Sequence, residues 1–390
     1  LNIRNPSGRR ASTITMRGLS PNTTNEQLRG VSFFVDGIYL SGSIGSLRLQ
    51  DVERVEVIRG PQTAMFGRAT YTGAIDLVTR TPKGDEVSGD LEATFSQYSV
   101  GNTPRWQLSG SVDFPIIQDK LWASLLAVSD DTDSFATSPT GSAGIGGQDT
   151  TAIGGLLYWE PLAGLSFKLR YNHAKDEDES SFVHITHPDE WIAAGVGTSV
   201  VGDNTIWPQG ETLKPIAGTT ECQPAYGATS TPGAVGRGTP RACGEEQTRD
   251  FLSLVANYEL GNYTLSYLGG YPTADLDSNG DQYPRGNIGG VGVDPFFGPG
   301  NGIAPGGKTP AGFIATFEEF ENSSHQLRIV SPADQRLRWL SGLYYFEEEN
   351  TNYRVDNYVA LSSYTGSITG VHKIQDRGAD VTTAIFRLAK

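Results

Sequence analysis

The chain has 390 residues, more than one ordinary domain of about 150 residues accounts for, so two units are expected. It is acidic, with a formal net charge of -14, which argues against a nucleic-acid partner because phosphate binding needs a basic face. Hydrophobic residues make up 37%, and no apolar run approaches the roughly 18 residues of a membrane helix. That leaves a soluble β-rich protein or a membrane β-barrel, whose alternating strands vanish in averaged hydropathy.

The first patterned stretch, 31–82, reads as short strands closed by glycines. Ser32, Phe34 and Asp36 alternate with Val31, Phe33 and Val35, and Val55, Val57 and Ile58 flank Glu56, which marks short buried or half-buried strands. Each run stops at a glycine: Asp36-Gly37, Arg59-Gly60-Pro61, Phe66-Gly67 and Thr72-Gly73. Glycine admits positive φ and close backbone approach, and Pro61 sets the chain leaving Arg59 in an extended turn. Taken singly, each glycine is turn punctuation. Their joint order carries more.

After Thr81-Pro82-Lys83-Gly84 the segments lengthen and alternate in period two. Trp106, Leu108, Val112 and Phe114 fall on one face, with Gln107, Ser109, Ser111 and Asp113 on the other. Leu165, Phe167, Leu169 and Tyr171 alternate with Ser166, Lys168, Arg170 and Asn172, and Leu252, Leu254, Ala256 and Tyr258 repeat the theme, as do Leu265 and Tyr267. Strands are expected near 87–98, 105–115, 119–130, 152–160, 165–175, 248–260, 263–274, 316–331, 336–350 and 378–390. The connections alternate between short (116–120, 161–164, 261–262, 332–336) and long (131–151, 175–248, 276–313). Outer-membrane barrels have this asymmetry, with the long loops outside, and the apolar set then faces lipid, away from the lumen.

The order of Val35-Asp36-Gly37-Ile38-Tyr39, Asp51-Val52-Glu53-Arg54-Val55-Glu56-Val57-Ile58-Arg59-Gly60-Pro61, Phe66-Gly67-Arg68 and Gly73-Ala74-Ile75-Asp76-Leu77-Val78-Thr79 resembles the plug domain of TonB-dependent outer-membrane receptors. Ile14-Thr15-Met16-Arg17-Gly18 resembles an early plug strand of that family, and Ser323 to Tyr345 a barrel hairpin that recurs in it. Ala69-Thr70-Tyr71-Thr72 departs from the family's commonest form, in which an Asn and paired glycines are more usual. The resemblance implies a mainly β fold: a small mixed plug domain at 1–83, then antiparallel strands of a transmembrane β-barrel at 84–390, about ten of about 22 strands. Leu1 is not a methionine and Lys390 is not the usual aromatic terminus, so the chain is expected to be an internal part of a longer receptor that lacks the coupling segment.

The resemblance further implies the outer membrane of a Gram-negative bacterium and active import of an iron-siderophore or similar scarce nutrient. The implied partners are the TonB inner-membrane energy-coupling complex, outer-membrane lipid and the ligand. By family position, Arg17, Ser41, Gly42, Ser43, Leu47, Arg48 and Gln50 are candidate ligand contacts, though the serines are also ordinary turn residues. Glu56 and Arg59 are candidate plug-barrel contacts, charged groups that hold the plug by pairing across a wet lumen; a surface pair of little energetic weight is the plain alternative.

Cys222 and Cys243 are the two cysteines, both in the longest unpatterned stretch, and a disulfide between them is expected in an extracellular loop, worth roughly 3 kcal/mol by loop entropy. His184 and His187, in the same stretch, are read as solvated rather than metal ligands, since no further ligand is placed. Asp176-Glu177-Asp178-Glu179 and Glu347-Glu348-Glu349 are read as solvated strand ends or loops. There is no G-x-S-x-G, H-E-x-x-H or Walker loop, so neither catalysis nor a cofactor is expected. The rival readings are a secreted or surface β-sandwich that binds glycans, and a receptor that chiefly signals.

Overall fold

The computed structural model describes residues 2–4, 13–16, 31–40, 51–60, 70–99, 102–137, 144–179, 244–281, 311–332, 334–359 and 366–383. Strands β1 (Asn2–Arg4) and β2 (Thr13–Thr15) form an antiparallel ribbon. Four more make a mixed sheet in the order β4-β3-β6-β5: β3 (Val31–Val35), β4 (Ile38–Leu40), β5 (Val52–Arg59) and β6 (Gly73–Thr79). Here β3 and β6 run parallel, while β3–β4 and β5–β6 are antiparallel. The β3–β4 hairpin turns on two residues, Asp36 at φ +51° and Gly37 at φ +78°. Positive φ at both centres matches the right-handed twist of the strands, which is why an Asp-Gly pair stands there.

The second body is a sheet of long antiparallel strands. It begins with β7 (Ser88–Tyr98), β8 (Thr103–Ile117) and β9 (Leu121–Thr132); a small ribbon of β10 (Ala136–Thr137) and β11 (Gly144–Ile145) then stands apart. It continues through β12 (Gln148–Leu162), β13 (Leu165–Glu179), β14 (Gly244–Leu260), β15 (Tyr263–Asp281), β16 (Ala311–Val330), β17 (Leu340–Val359) and β18 (Gly366–Thr383). Neighbours pair in chain order from β7 to β18, ten strands in all among the described residues. The number matches the sequence expectation, but the last two strands differ: β17 runs on to Val359 and β18 starts at Gly366, well before 378. The run Gly366–Thr383 mixes glycines and charges among its few apolar residues, so its alternation is faint.

The sheet is inside-out relative to a soluble sandwich. Trp106 and Leu108 are 62% and 51% exposed, and Leu169, Tyr171 and Leu252 also face outward, while Ser109, Asp113, Ser124 and Asp130 are buried on the other face. A soluble sandwich would bury the apolar set between its sheets; a barrel in lipid does the reverse. Aromatic pairs mark both ends of the outer face, Trp159–Phe167 (5.4 Å) and Tyr263–Trp339 (5.9 Å) by the short turns and Phe95–Trp106 (4.4 Å) by the long loops. Such girdles sit at the two membrane interfaces of barrels.

The same alternation corrects the reading of the acidic runs as solvated. Asp176 and Glu348 point to the buried face and are 4% and 6% exposed, while Glu177 and Glu347 lie on the outward face. A run of like charges on a strand is divided between two faces by the pleat.

Candidate functional site: the seat of the plug

The four-stranded sheet rests on the buried face of the long strands. Its larger apolar cluster joins Met16, Val31, Phe33, Val35, Ile38, Leu40 and Ile75 to Phe251 and Leu268 of the wall. A smaller one joins Phe34, Tyr39 and Ala74 to Phe346, with the Tyr39 and Phe346 rings edge to face at 5.6 Å. Between them Ile38 occupies a notch at Gly270 of β15, where a Cβ would sit 2.2 Å from the isoleucine Cγ2. Only a residue without a side chain leaves room for that approach.

Charged groups pin this contact on β13. Arg170, 1% exposed, donates from its guanidinium to the Asp51 carboxylate at 2.5 Å, and also reaches Asn172 Oδ1 at 3.4 Å. One inward step along the strand, Lys168 lies 3.1 Å from Asp36 Oδ2 and donates to the Thr79 carbonyl at 2.7 Å. The Asp36 carboxylate is completed by the Thr79 backbone N–H (2.8 Å) and hydroxyl (2.5 Å). The β3–β4 turn, the end of β6 and the wall are thus tied at one point. The strap that follows is tied as well: Arg80 pairs with Asp113 at 2.5 Å, Lys83 with Glu160 at 2.7 Å, and Trp122 Nε1 donates to the Gly84 carbonyl at 3.0 Å.

A third plug carboxylate, Asp76, accepts the Gly37 N–H at 3.1 Å. Burial pushes its pKa above the ordinary aspartate value; the Gly37 hydrogen bond opposes this, Asp36 and Glu56 add to it, and the Arg328 charge on β16 counters it.

The residues singled out in the sequence fare differently. Arg17, Ser41, Gly42, Ser43, Leu47, Arg48, Gln50, Cys222, Cys243, His184 and His187 lie outside the described residues. Glu56 pairs with Arg54 of its own strand at 2.8 Å, and Arg59 is exposed at the end of β5. The buried plug-wall pairs run through Asp36, Asp51, Lys168 and Arg170, which sequence reasoning missed. A cation at every second position of an otherwise apolar-polar strand, Lys168 then Arg170, was the available signal. No group of three or more His, Cys, Asp or Glu side chains among the described residues is arranged to hold a metal.

Residues 1–74 match the TonB-dependent Receptor Plug Domain family. The N-terminal part of the chain is thus similar to the plug of the TonB-dependent receptors. The pesticin receptors of Yersinia enterocolitica and Yersinia pestis are 31% identical over 151 residues, which is 38% of this chain and 21% of theirs. The chain matches the solved ferric yersiniabactin uptake receptor of Yersinia pestis with a TM-score of 0.65 at 16% identity, across 99% of its own length and 57% of that receptor. For the siderophore receptor PiuA of Acinetobacter baumannii the TM-score is 0.56 at 17% identity, covering 98% of this chain and 48% of that one. At such identities the structural matches establish the plug-and-barrel fold. The chain spans about half the length of these solved receptors.

Proposed function

We propose that the protein imports an iron-siderophore, or a similarly scarce and bulky nutrient, across the outer membrane of a Gram-negative bacterium, powered by the TonB complex of the inner membrane. In this reading 1–83 is the plug and 84–390 part of a lipid-embedded wall, with no catalytic step and no cofactor. The observation that carries it is the plug sheet seated by buried ion pairs on the polar face of an inside-out β-sheet. A barrel whose lumen is filled by a small domain does not conduct by diffusion, so a solute passes only when energy moves the domain. The similarity to siderophore receptors supports iron as the cargo.

Within this reading Arg17, Ser41, Gly42, Ser43, Leu47, Arg48 and Gln50 form the ligand-facing apex, and Arg48 supplies a charge-assisted hydrogen bond to an anionic ferric complex. Arg48→Ala then weakens capture by about 1.5–3 kcal/mol, roughly ten- to a hundredfold. The function is tested by uptake of radioactive iron, presented as a panel of ferric siderophores, into cells that make the full-length receptor. Uptake that requires both the receptor and TonB is expected. Uptake indifferent to TonB would refute it.

A further inference from the structure

The chain leaves β6 by a strap, 80–87, that lies against the wall, and Arg80 is where two sets of contacts meet. Its backbone N–H donates to the Asp51 carbonyl of the plug at 2.7 Å. Its guanidinium forks onto Asp113 of β8, Nη1 to Oδ2 at 2.5 Å and Nη2 to Oδ1 at 3.3 Å. Beyond Arg80 the strap meets the wall again and again. Lys83 pairs with Glu160 of β12 and stands 5.1 Å from the centroid of the Tyr158 ring, whose hydroxyl donates to the same carboxylate at 2.6 Å. Trp122 of β9 donates to the Gly84 carbonyl, and Gln118, in the β8–β9 turn, donates to Asp85 Oδ1 at 3.2 Å. The Lys83 pair is half-exposed and alone would hold little, but a forked guanidinium and a run of contacts over six residues hold more. Pro82 is buried, fixes its own φ and narrows the choice at Thr81, so the strap is also stiff.

The plug's own seat is built from other wall residues. It uses Lys168 and Arg170 of β13, Phe251 of β14, Leu268 of β15 and Phe346 of β17, together with the charge of Arg328 on β16 facing Asp76. Asp113 and Arg170 stand in one row of the ladder, Asp113–Ser124–Leu156–Arg170, three strand spacings or about 14 Å apart. Contacts so separated, with different partners, give way independently.

We propose that the strap from Thr81 onward belongs to the fixed wall and that Arg80 is the hinge, so that the plug leaves and regains its seat while the strap stays in place. The moving body then ends at Arg80, inside the segment 1–83 that the sequence resemblance assigns to the plug. The use of such a tether, returning the plug to register after each passage of cargo, rests on the import reading; the anchoring itself does not.

The test is thiol trapping on the purified full-length receptor in detergent, with Cys222 and Cys243 replaced by serine and a hydrophilic maleimide applied in graded urea below the transition of the barrel. Ala74→Cys, at a fully buried position of β6, reports the plug, and Pro82→Cys reports the strap. Asp51→Asn, which breaks the pair with Arg170, is expected to speed trapping at Ala74→Cys at least about tenfold and to leave Pro82→Cys within about twofold. Asp113→Asn should do the reverse. Pro82→Cys speeding in step with Ala74→Cys overturns the proposal, and so does an Ala74→Cys rate that ignores Asp51→Asn. Because Pro82→Cys itself relaxes the strap, a second measurement leaves the proline in place: cysteines at Lys83 and Glu160 are joined by a bis-maleimide, which locks the strap to the wall, and amide hydrogen exchange is followed across β6 in the same urea. Exchange should stay within about twofold of the unlocked receptor, and any greater slowing overturns the proposal. No ligand is present in either measurement, so these results in a receptor that takes up no ferric complex would refute the import reading and leave the anchor in place.

Discussion

At the scale of single residues, Arg170 and Asp51 form a nearly dry pair whose two partners belong to different bodies of the protein. Removing one charge leaves the other buried and uncompensated, so Asp51→Asn or Arg170→Gln should each loosen the plug by about 3–5 kcal/mol. The double variant should lose much less than the sum, and a double-mutant cycle on urea unfolding of the plug measures the coupling. Arg54→Gln is the control: its pair with Glu56 is exposed and should leave the midpoint unmoved. Asp76 offers a second test. Its raised pKa means that the folded plug holds the Asp76 proton more tightly than the unfolded chain does. The stability tied to that proton is fully present below the unfolded value of about 3.9 and is lost as pH rises through the raised folded value. Asp76→Asn keeps an acceptor for the Gly37 N–H and should flatten plug stability across that window, as read by urea midpoints at a series of pH values.

At the scale of elements, the β3–β4 hairpin is fixed by shape as much as by charge. Ile38 enters the Gly270 notch, while the Asp36-Gly37 turn behind it presents the carboxylate that Lys168 and Thr79 share. Gly270→Ala should therefore displace the hairpin and raise leakage of large antibiotics through the outer membrane, and Ile38→Ala added to it should restore the seal. Failure of the second change to rescue the first would show that the notch does not set the hairpin's position. The hairpin itself was legible beforehand, because Asp-Gly between alternating apolar residues specifies its own turn. Its docking was not. Lys168 and Arg170 read only as the polar partners of Phe167 and Leu169, and nothing local says that a carboxylate from a distant turn will meet each one. Glu56 and Arg59 drew attention by sitting in the recognisable motif, whereas the buried pairs use acids at the edges of that motif, in the turn and just before β5.

At the scale of the whole molecule, the sheet's two faces were readable from period-two alternation, and Trp106 and Leu108 lie where that pattern puts them. Strand ends were less readable, since the polar run Glu347–Asn352 interrupts the alternation of β17 and β18 carries few apolar residues to mark where pairing stops. The outward face makes its own prediction. Leu169→Arg should cost up to about 2–4 kcal/mol, as charged substitutions on a lipid face do near the midplane, whereas Ser111→Asn on the other face should be tolerated. Yield of heat-resistant barrel in outer membranes compares the two; equal yields would contradict the assignment of lipid and lumen faces.

The Asp51–Arg170 pair joins residues 119 apart, and the bond from Lys168 to the Thr79 carbonyl spans 89. During synthesis the plug therefore leaves the ribosome well before its seat exists. Until β13 to β15 are in place, Asp36 and Asp51 have no cations to meet, and Val31, Phe33 and Ile38 have no wall to cover them. Contacts of such long sequence range form slowly and late. The plug is thus made before its seat and completed only after it, and in the interval its apolar surface is open to aggregation.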